Sequence, residues 1–261
     1  VTVRGSSTME LSTGTEIGIS QFKVESGSTL EGPASLLDGV VSSGAGTTKV
    51  TNLHQRLAAD LSLHTTTNVI VFFSINRTFT GNLGKAEVNV NNGSTMTLSG
   101  TNIGTPSFII ETNSTVIGPA SLLDGVASSG GGTTTVSDLH STLAAVLSSL
   151  ASTSVTSSFE GNETFTGSLG KSVVTVRGSS TMTLLGTKME TSSFVVESGS
   201  TLAGPASLLD GVVSSGDGTT TVSDLHSTLA AVLSLHTTTS VTSAFEGNET
   251  FTGSLGKSVV T

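Results

Sequence analysis

Residues 162–204 read NETFTGSLGKSVVTVRGSSTMTLLGTKMETSSFVVESGSTLAG, and this stretch decides the fold. It contains the same phrase three times: a polar pair, then Thr, an apolar residue and a short β-prone tail. The apolar residues are Phe165, Met182 and Leu202, spaced by 17 and 20 residues. That spacing is about one turn of a β-solenoid, so they are expected to stack in one inward column with the preceding threonines pointing outward.

The stretch recurs along the chain with a period of 86 residues. Pro33, Pro119 and Pro205 each open the motif PASLLDG, and each step between them is 86 residues. A fixed period of this kind is typical of repeat architectures. The predicted units are repeat 1 at residues 1–87, repeat 2 at 88–173, repeat 3 at 174–259, and the start of a next repeat at 260–261.

The apolar period changes within each repeat. The first part, for example VTVRGSSTMTL at residues 174–184, alternates apolar and polar residues as half-buried strands do. Further on, Leu139, Leu143 and Leu147 have the spacing of an amphipathic helix, with Ser137 as its N-cap. The PASLLDG motif before it predicts a single helical turn or a loop.

These patterns predict a mainly β protein with short helices, a repetitive parallel β-solenoid. Each repeat is expected to hold about three rungs plus a helix-bearing excursion of 49 residues, the remainder of the 86. An alternative fold, tandem β-sandwiches that exchange a strand, fits the same alternation. The predicted rung-core columns contain Met9, Leu30, Phe79, Met96, Val116, Phe165, Met182, Leu202 and Phe251.

Composition argues against several classes of partner. The chain has 19 acidic and 10 basic residues, a net charge of −9 and no basic cluster, so nucleic acid is not expected as a partner. It contains no cysteine, which excludes disulfides and thiolate metal sites. No apolar run approaches the roughly 18 residues that span a bilayer, so no membrane span is expected.

No catalytic residue, metal site or cofactor is predicted. His140 lies beside Asp138 in sequence, but neighbours on a helix do not converge as a catalytic triad requires. It is therefore interpreted as a residue of a polar helix face. His64 and His236 stand where the middle repeat has Leu150, and they are interpreted as surface variants.

Aspartate recurs at the end of each PASLLDG motif, at Asp38, Asp124 and Asp210. A lone Asp-Gly lacks the alternating acidic ligands of a calcium-binding loop. Turn formation is therefore favoured over a Ca²⁺ site.

Five asparagines satisfy the Asn-X-Ser/Thr rule for N-glycosylation. Asparagine also suits turns, and Ser and Thr are frequent in this chain, so both interpretations stay open. Glycosylation would imply a secreted protein with covalent N-glycans at regular intervals. The candidate sites are Asn76, Asn162, Asn248, Asn92 and Asn113.

Residues 88–101, VNVNNGSTMTLSGT, and 194–204, FVVESGSTLAG, resemble rungs of secreted parallel β-helix proteins such as autotransporter passengers and filamentous adhesins. The resemblance covers roughly half of each repeat. It implies an extracellular or cell-surface, elongated, non-enzymatic protein. The expected function is a structural repeat segment of a filament or fibre that assembles with copies of itself, end to end or laterally.

Two further functions stay open. Solenoid faces that bear columns of threonine resemble those of β-solenoid antifreeze proteins, which implies ice binding. A glycan-binding or adhesion stalk is the third alternative.

Overall fold

A computed structural model of the chain describes residues 1–18, 21–190 and 192–261. The fold is mainly β, with 45% strand and 8% helix, and its all-parallel sheets stack as a β-solenoid of about 13 turns. We call one such turn a coil. The parallel pairing rules out the alternative of tandem β-sandwiches, whose sheets are antiparallel.

Most strands have two to six residues, those at Val41–Thr51 and His64–Phe73 are longer, and strands occur throughout the described residues. In chain order they are β1 (Thr2–Val3), β2 (Thr8–Glu10), β3 (Gln21–Val24), β4 (Thr29–Pro33), β5 (Val41–Thr51), β6 (His64–Phe73), β7 (Arg77–Phe79), β8 (Glu87–Val90), β9 (Thr95–Leu98), β10 (Ser107–Ile110), β11 (Thr115–Pro119), β12 (Ala127–Ser129), β13 (Thr133–Asp138), β14 (Ser154–Phe159), β15 (Asn162–Phe165), β16 (Ser168–Gly170), β17 (Val173–Val176), β18 (Thr181–Leu184), β19 (Lys188–Met189), β20 (Ser193–Val196), β21 (Thr201–Pro205), β22 (Val213–Ser215), β23 (Thr219–Ser223), β24 (Ser240–Ser243) and β25 (Val259–Val260).

Of the two structures expected for each PASLLDG motif, a single helical turn or a loop, the helical turn is found. Its four-residue helices are α1 (Ala34–Leu37), α2 (Ala120–Leu123) and α3 (Ala206–Leu209). Three short 3-10 segments follow, at Leu53–Gln55, Leu139–Ser141 and Leu225–Ser227.

The chain divides into two compact units. Unit 1 comprises Val1–Gly118, Val126–Thr134 and Ala151–Ser154; unit 2 comprises Pro119–Gly125, Thr135–Leu150 and Val155–Thr261.

In unit 1, one sheet has the strand order β1-β3-β5-β6-β8-β10-β12, and β4 pairs with the second half of β5. Strand β6 joins repeat 1 to repeat 2, because Val69 pairs with Thr48 of β5 while Phe73 pairs with Val90 of β8. The sheet is therefore continuous across the boundary between these two repeats.

Unit 2 contains a sheet of order β15-β18-β21-β23-β24-β25 and the parallel run β14-β17-β20-β22. In β21 the burial alternates strictly, with Leu202 fully buried and its neighbours Thr201 and Ala203 half-buried. β-Branched residues at alternate positions fit such a pleated, half-buried surface.

The predicted amphipathic helix at residues 137–148 is wrong. Ser137 belongs to β13, and only Leu139–Ser141 forms a short 3-10 turn. The backbone bonds instead to a neighbouring coil: Leu147 N donates to Ser168 O at 2.8 Å, and Thr166 N donates to Leu143 O at 2.8 Å. The expected excursion is therefore wound into the solenoid itself, which has more than four coils for each 86-residue repeat.

Most of the residues predicted to form the core columns lie in strands, and the strand register shows which residue of the next coil pairs with each. Met9 pairs with Leu30, Met96 with Val116, and Met182 with Leu202.

The two phenylalanines of this set that lie in strands pair elsewhere. Phe79 and Phe165 are fully buried, but they pair with Leu98 and Leu184, two positions beyond the expected methionines. Phe251 is only half-buried and lies outside the strands.

A glycine makes the corner in β5. Gly44 has φ of 110°, and a Cβ there would lie 2.4 Å from Val24 O of the preceding coil. The register of β5 against β6 shifts between Gly44 and Thr47. This corner brings Ser42, before it, and Thr48, after it, within 2.8 Å of each other through their hydroxyl oxygens.

We expect Gly44→Ala to destabilise the protein more than Gly14→Ala. Gly14 has a similar positive φ of 101° but no atom within 4 Å of an added Cβ, so its substitution reports backbone strain alone, about 1–3 kcal/mol. Crowding against Val24 O should add about 1–3 kcal/mol for Gly44→Ala. Urea unfolding of both variants measures the difference, and equal losses would contradict a tightly packed corner.

Candidate functional site

An array made mostly of hydroxyl side chains lies on the outer face of one sheet in unit 2. Strands β15, β18, β21, β23 and β24 pair in register, and their outward residues form two columns. We call these ten residues the threonine surface. The first column is Asn162, Thr181, Thr201, Thr219 and Ser240, and the second is Thr164, Thr183, Ala203, Thr221 and Thr242.

The threonine surface follows from strand geometry. Residues two apart on a strand lie on the same face, so Thr181 and Thr183 both point outward while Met182 is fully buried. Successive coils are about 4.8 Å apart, and outward neighbours on one strand are about 6.6 Å apart. The surface contains seven threonines and no charged residue.

The predicted ladder of Thr164, Thr181 and Thr201 is divided between the two columns. Thr181 and Thr201 are partners in the first column, whereas Thr164 pairs with Thr183 in the second. The cause is again the register of β15, in which Phe165 pairs with Leu184, two positions beyond Met182.

Repeat 1 bears a different pattern on the corresponding strands of unit 1. Thr8, Thr29 and Thr47 are in register there, but the neighbouring column contains charged residues. Lys49 Nζ lies 2.8 Å from a carboxylate oxygen of Glu31, and it also lies 5.5 Å from the centre of the Phe72 ring. An uncharged two-column surface is therefore absent from this stretch of repeat 1.

All five asparagines of the glycosylation sequons are exposed. Asn92 and Asn113 lie in turns with φ of 58° and 66°, and Asn248 lies outside the strands. Exposure is compatible with glycosylation at each of them.

Asn76 and Asn162 have a structural contact as well. The Oδ1 atom of Asn162 accepts a hydrogen bond from Thr181 N at 2.8 Å, and Oδ1 of Asn76 accepts one from Thr95 N at 2.7 Å. An N-glycan is attached at Nδ2, so this contact and glycosylation are chemically compatible. Asn162 also stands at the head of the first column of the threonine surface.

His64 and His236 are buried, so their interpretation as surface residues is wrong. Their exposed fractions are 2% and 1%. The aligned residue of the middle repeat, Leu150, is 1% exposed. An apolar residue at the equivalent position was the sequence signal for burial.

Each buried imidazole bonds through both nitrogens. His64 Nδ1 lies 2.8 Å from Ser42 Oγ, and its Nε2 lies 3.1 Å from Leu37 O at the end of α1. His236 repeats this arrangement with Ser214 Oγ at 2.8 Å and Leu209 O at 3.2 Å.

Burial lowers the pKa of both histidines, because the imidazolium loses hydration. The hydrogen bond to Leu37 O and the charge of Asp60 both raise the pKa of His64, and they partly offset the effect of burial. At His236 only the bond to Leu209 O opposes it.

The exposed His140 has one close side-chain contact. Its Nδ1 lies 2.6 Å from Asp138 Oδ1. Ser141 Oγ instead donates to Asp138 O at 2.9 Å and accepts from Ser121 N at 3.0 Å. These contacts do not align a serine with the imidazole as a hydrolytic triad requires.

The recurring aspartates link one coil to the next. Asp124 Oδ1 accepts a hydrogen bond from Val146 N at 2.8 Å, and Asp210 Oδ1 accepts one from Val232 N at 2.7 Å. Asp38 Oδ1 bonds Asp60 N in the same way, at 2.7 Å. Each carboxylate thus serves as a backbone acceptor for the following coil.

Within the described ranges, no three His, Asp or Glu side chains are grouped so as to hold a metal ion. None of the helices in these ranges has the length and apolar character needed to cross a membrane. Comparison with protein-family models, curated proteins and solved structures found no match.

We expect Asp124→Ala to destabilise the protein by about 1 kcal/mol, because Val146 N loses its acceptor. Asp124→Asn keeps an oxygen at the same position and should remain close to the wild type. Thermal and urea unfolding compare the two variants. If the asparagine variant loses as much as the alanine variant, the negative charge rather than the acceptor matters.

Proposed function

We propose that the chain is a non-enzymatic structural repeat segment of an extracellular filament or cell-surface fibre. The observation that carries this proposal is the shared strand at the junction of repeats 1 and 2. Val71 of β6 pairs with both Val50 of β5 and Val88 of β8, and all three are fully buried.

The shared strand means that a single repeat is not an independent domain. Its strand β6 pairs with β8 and its strand β7 with β9, both at the start of the next repeat, so its core continues into that repeat. In such a solenoid, added repeats extend the molecule through the same nearest-neighbour contacts. This mode of growth suits a protein whose function is length and display rather than catalysis.

Surface chemistry supports an exposed, repetitive display. Only 11% of residues are charged, and hydroxyl side chains dominate the outward positions of the threonine surface. The candidate N-glycans at Asn76, Asn162 and Asn248 would be 86 residues apart, one in each repeat. The proposed partners are further copies of the chain.

Electron microscopy of the purified chain over a wide range of concentrations tests the proposal. We expect filaments or fibres with a regular axial spacing, and sedimentation velocity should show concentration-dependent association. Uniformly dispersed monomers at every concentration would overturn self-assembly as the function.

Exposed valines on the other outward sheet of unit 2 can report how copies associate. Val195 and Val213 are 37% and 45% exposed. If lateral contacts use this sheet, Val195→Lys with Val213→Lys should narrow the fibres and keep their axial spacing. Thr237→Lys, at an exposed position outside the strands, is the control for added charge.

Ice binding is a second candidate, favoured specifically by the threonine surface. The sheet holds the methyl and hydroxyl groups of Thr183 and Thr221 at fixed spacings, and neither column contains a charged residue. Such an array can hold water in a regular pattern, whereas charged groups orient water around themselves. A glycan at Asn162 would project beside the first column, so glycosylation there and ice binding would interfere.

We expect thermal hysteresis from the unglycosylated chain if this second function holds. Thr183→Lys with Thr221→Lys should abolish it, because two charges then interrupt the second column. The matched control, Thr175→Lys with Ser215→Lys on strands β17 and β22, should retain it. Absence of hysteresis in the wild type would exclude ice binding, whereas equal loss in both variants would show that another surface is responsible.

A further inference from the structure

Two hydroxyl chains end on the buried histidines. In unit 1, Ser42 Oγ lies 2.8 Å from both His64 Nδ1 and Thr48 Oγ1. Thr66 Oγ1 lies 2.9 Å from Thr48 Oγ1 and 3.0 Å from Asn68 O. These atoms form an unbranched line from the imidazole to a backbone carbonyl.

Unit 2 repeats the line almost without change. Ser214 Oγ lies 2.8 Å from both His236 Nδ1 and Thr220 Oγ1. Thr238 Oγ1 lies 2.9 Å from Thr220 Oγ1 and 3.0 Å from Ser240 O. We call the two lines the imidazole–hydroxyl chains.

The tautomer of the neutral imidazole follows from its partners. Leu37 O can only accept, so His64 Nε2 carries the hydrogen and Nδ1 accepts from Ser42. Thr48 then donates to Ser42, and the one hydroxyl hydrogen of Thr66 is shared between Thr48 and Asn68 O. Only three hydroxyl hydrogens are therefore available for the four contacts between His64 Nδ1 and Asn68 O.

Proton uptake at Nδ1 supplies the missing hydrogen. His64 then donates to Ser42, and each hydroxyl turns to donate to the next oxygen, until Thr66 donates to Asn68 O. Every contact keeps its two partners and gains a hydrogen of its own. The protonated chain therefore breaks no hydrogen bond, and its cost is the burial of a positive charge.

We propose that the two imidazole–hydroxyl chains are acid-responsive elements of the fold. In mildly acidic solution each chain takes up one proton, its hydroxyls reverse their donor direction, and the coils around it are destabilised. The middle repeat, which has Leu150 in place of the histidine, does not respond.

The charged groups around the two histidines are not the same. The charge of Asp60 acts on His64. Asp38, which follows α1, accepts a hydrogen bond from Asp60 N, and its Oδ2 lies 2.6 Å from Arg56 Nε. Lys85 lines the same open cleft as His64, which has a volume of about 480 Å³.

The aligned positions in unit 2 carry fewer charges. They are Val232 for Asp60, Asp210 for Asp38, Thr228 for Arg56 and Lys257 for Lys85. The response is therefore expected at both histidines despite different charges nearby, since burial and the hydroxyl line are common to both.

The direction of the pH effect follows from the lowered pKa of both groups. An unfolded chain protonates His64 and His236 near pH 6.5, before the folded chain does. The contribution of the two neutral histidines to the free energy of unfolding is therefore complete above that pH. It is lost as the pH falls towards the pKa that they have in the folded chain. Each unit of pKa difference corresponds to about a tenfold loss in the folding equilibrium constant.

The experiment measures the unfolding midpoint of the full chain between pH 7.5 and about pH 5, above the range in which ordinary carboxylates titrate. The wild type should lose several degrees. His64→Leu with His236→Leu, which copies the residue found at Leu150, should flatten this dependence. His140→Leu with His226→Leu removes two exposed histidines and should leave the wild-type slope.

Two further measurements keep the proposal testable if the double leucine variant does not fold. Leu150→His should steepen the pH dependence by adding a third buried imidazole at the position aligned with His64 and His236. Imidazole ¹⁵N spectra of the wild type should show Nε2–H tautomers that titrate below pH 6.5. An unchanged slope in the leucine variant, or ordinary titration of both histidines, would overturn the proposal.

Discussion

Backbone hydrogen bonding between successive coils is the constraint on which the rest of the structure depends. The pairing is parallel throughout, and each strand finds its partner about one coil away in sequence. Because the side chains follow the register, the fully buried Leu30 lies next to the half-buried Met9 on one face, while Thr29 lies beside Thr8 on the other. One set of backbone bonds thus determines both the core columns and the surface columns.

The sequence predicts the parts that depend on alternation and period. It predicts strands around Met182 and Leu202 because their neighbours alternate, and a helical turn or a loop at PASLLDG because proline begins each motif. The prediction from sequence is wrong at residues 137–148, because the spacing of Leu139 and Leu147 also fits an amphipathic helix. The deciding information is that Leu147 N bonds Ser168 O, a partner that local periodicity does not identify.

The buried histidines show a second limit. Polarity alone places His64 on the surface, and a comparison of the repeats with one another corrects this only if Leu150 is taken as the guide. The hydroxyls that make burial tolerable, Ser42 and Thr48, are six residues apart and meet because Gly44 turns the strand between them. Their contact could not be inferred from spacing, since neither a strand nor a helix brings such a pair together.

In this fold, the residue type at an outward position can change independently of the residue type at the neighbouring inward position. Leu30 and Leu202 occupy equivalent, fully buried positions, yet their outward neighbours are Glu31 in repeat 1 and Ala203 in repeat 3. The exchange of a charged for a small residue leaves the inward packing in place because the strand directs the two side chains to opposite faces. A repeat can therefore change the side chains on its surface without altering the coils that hold them.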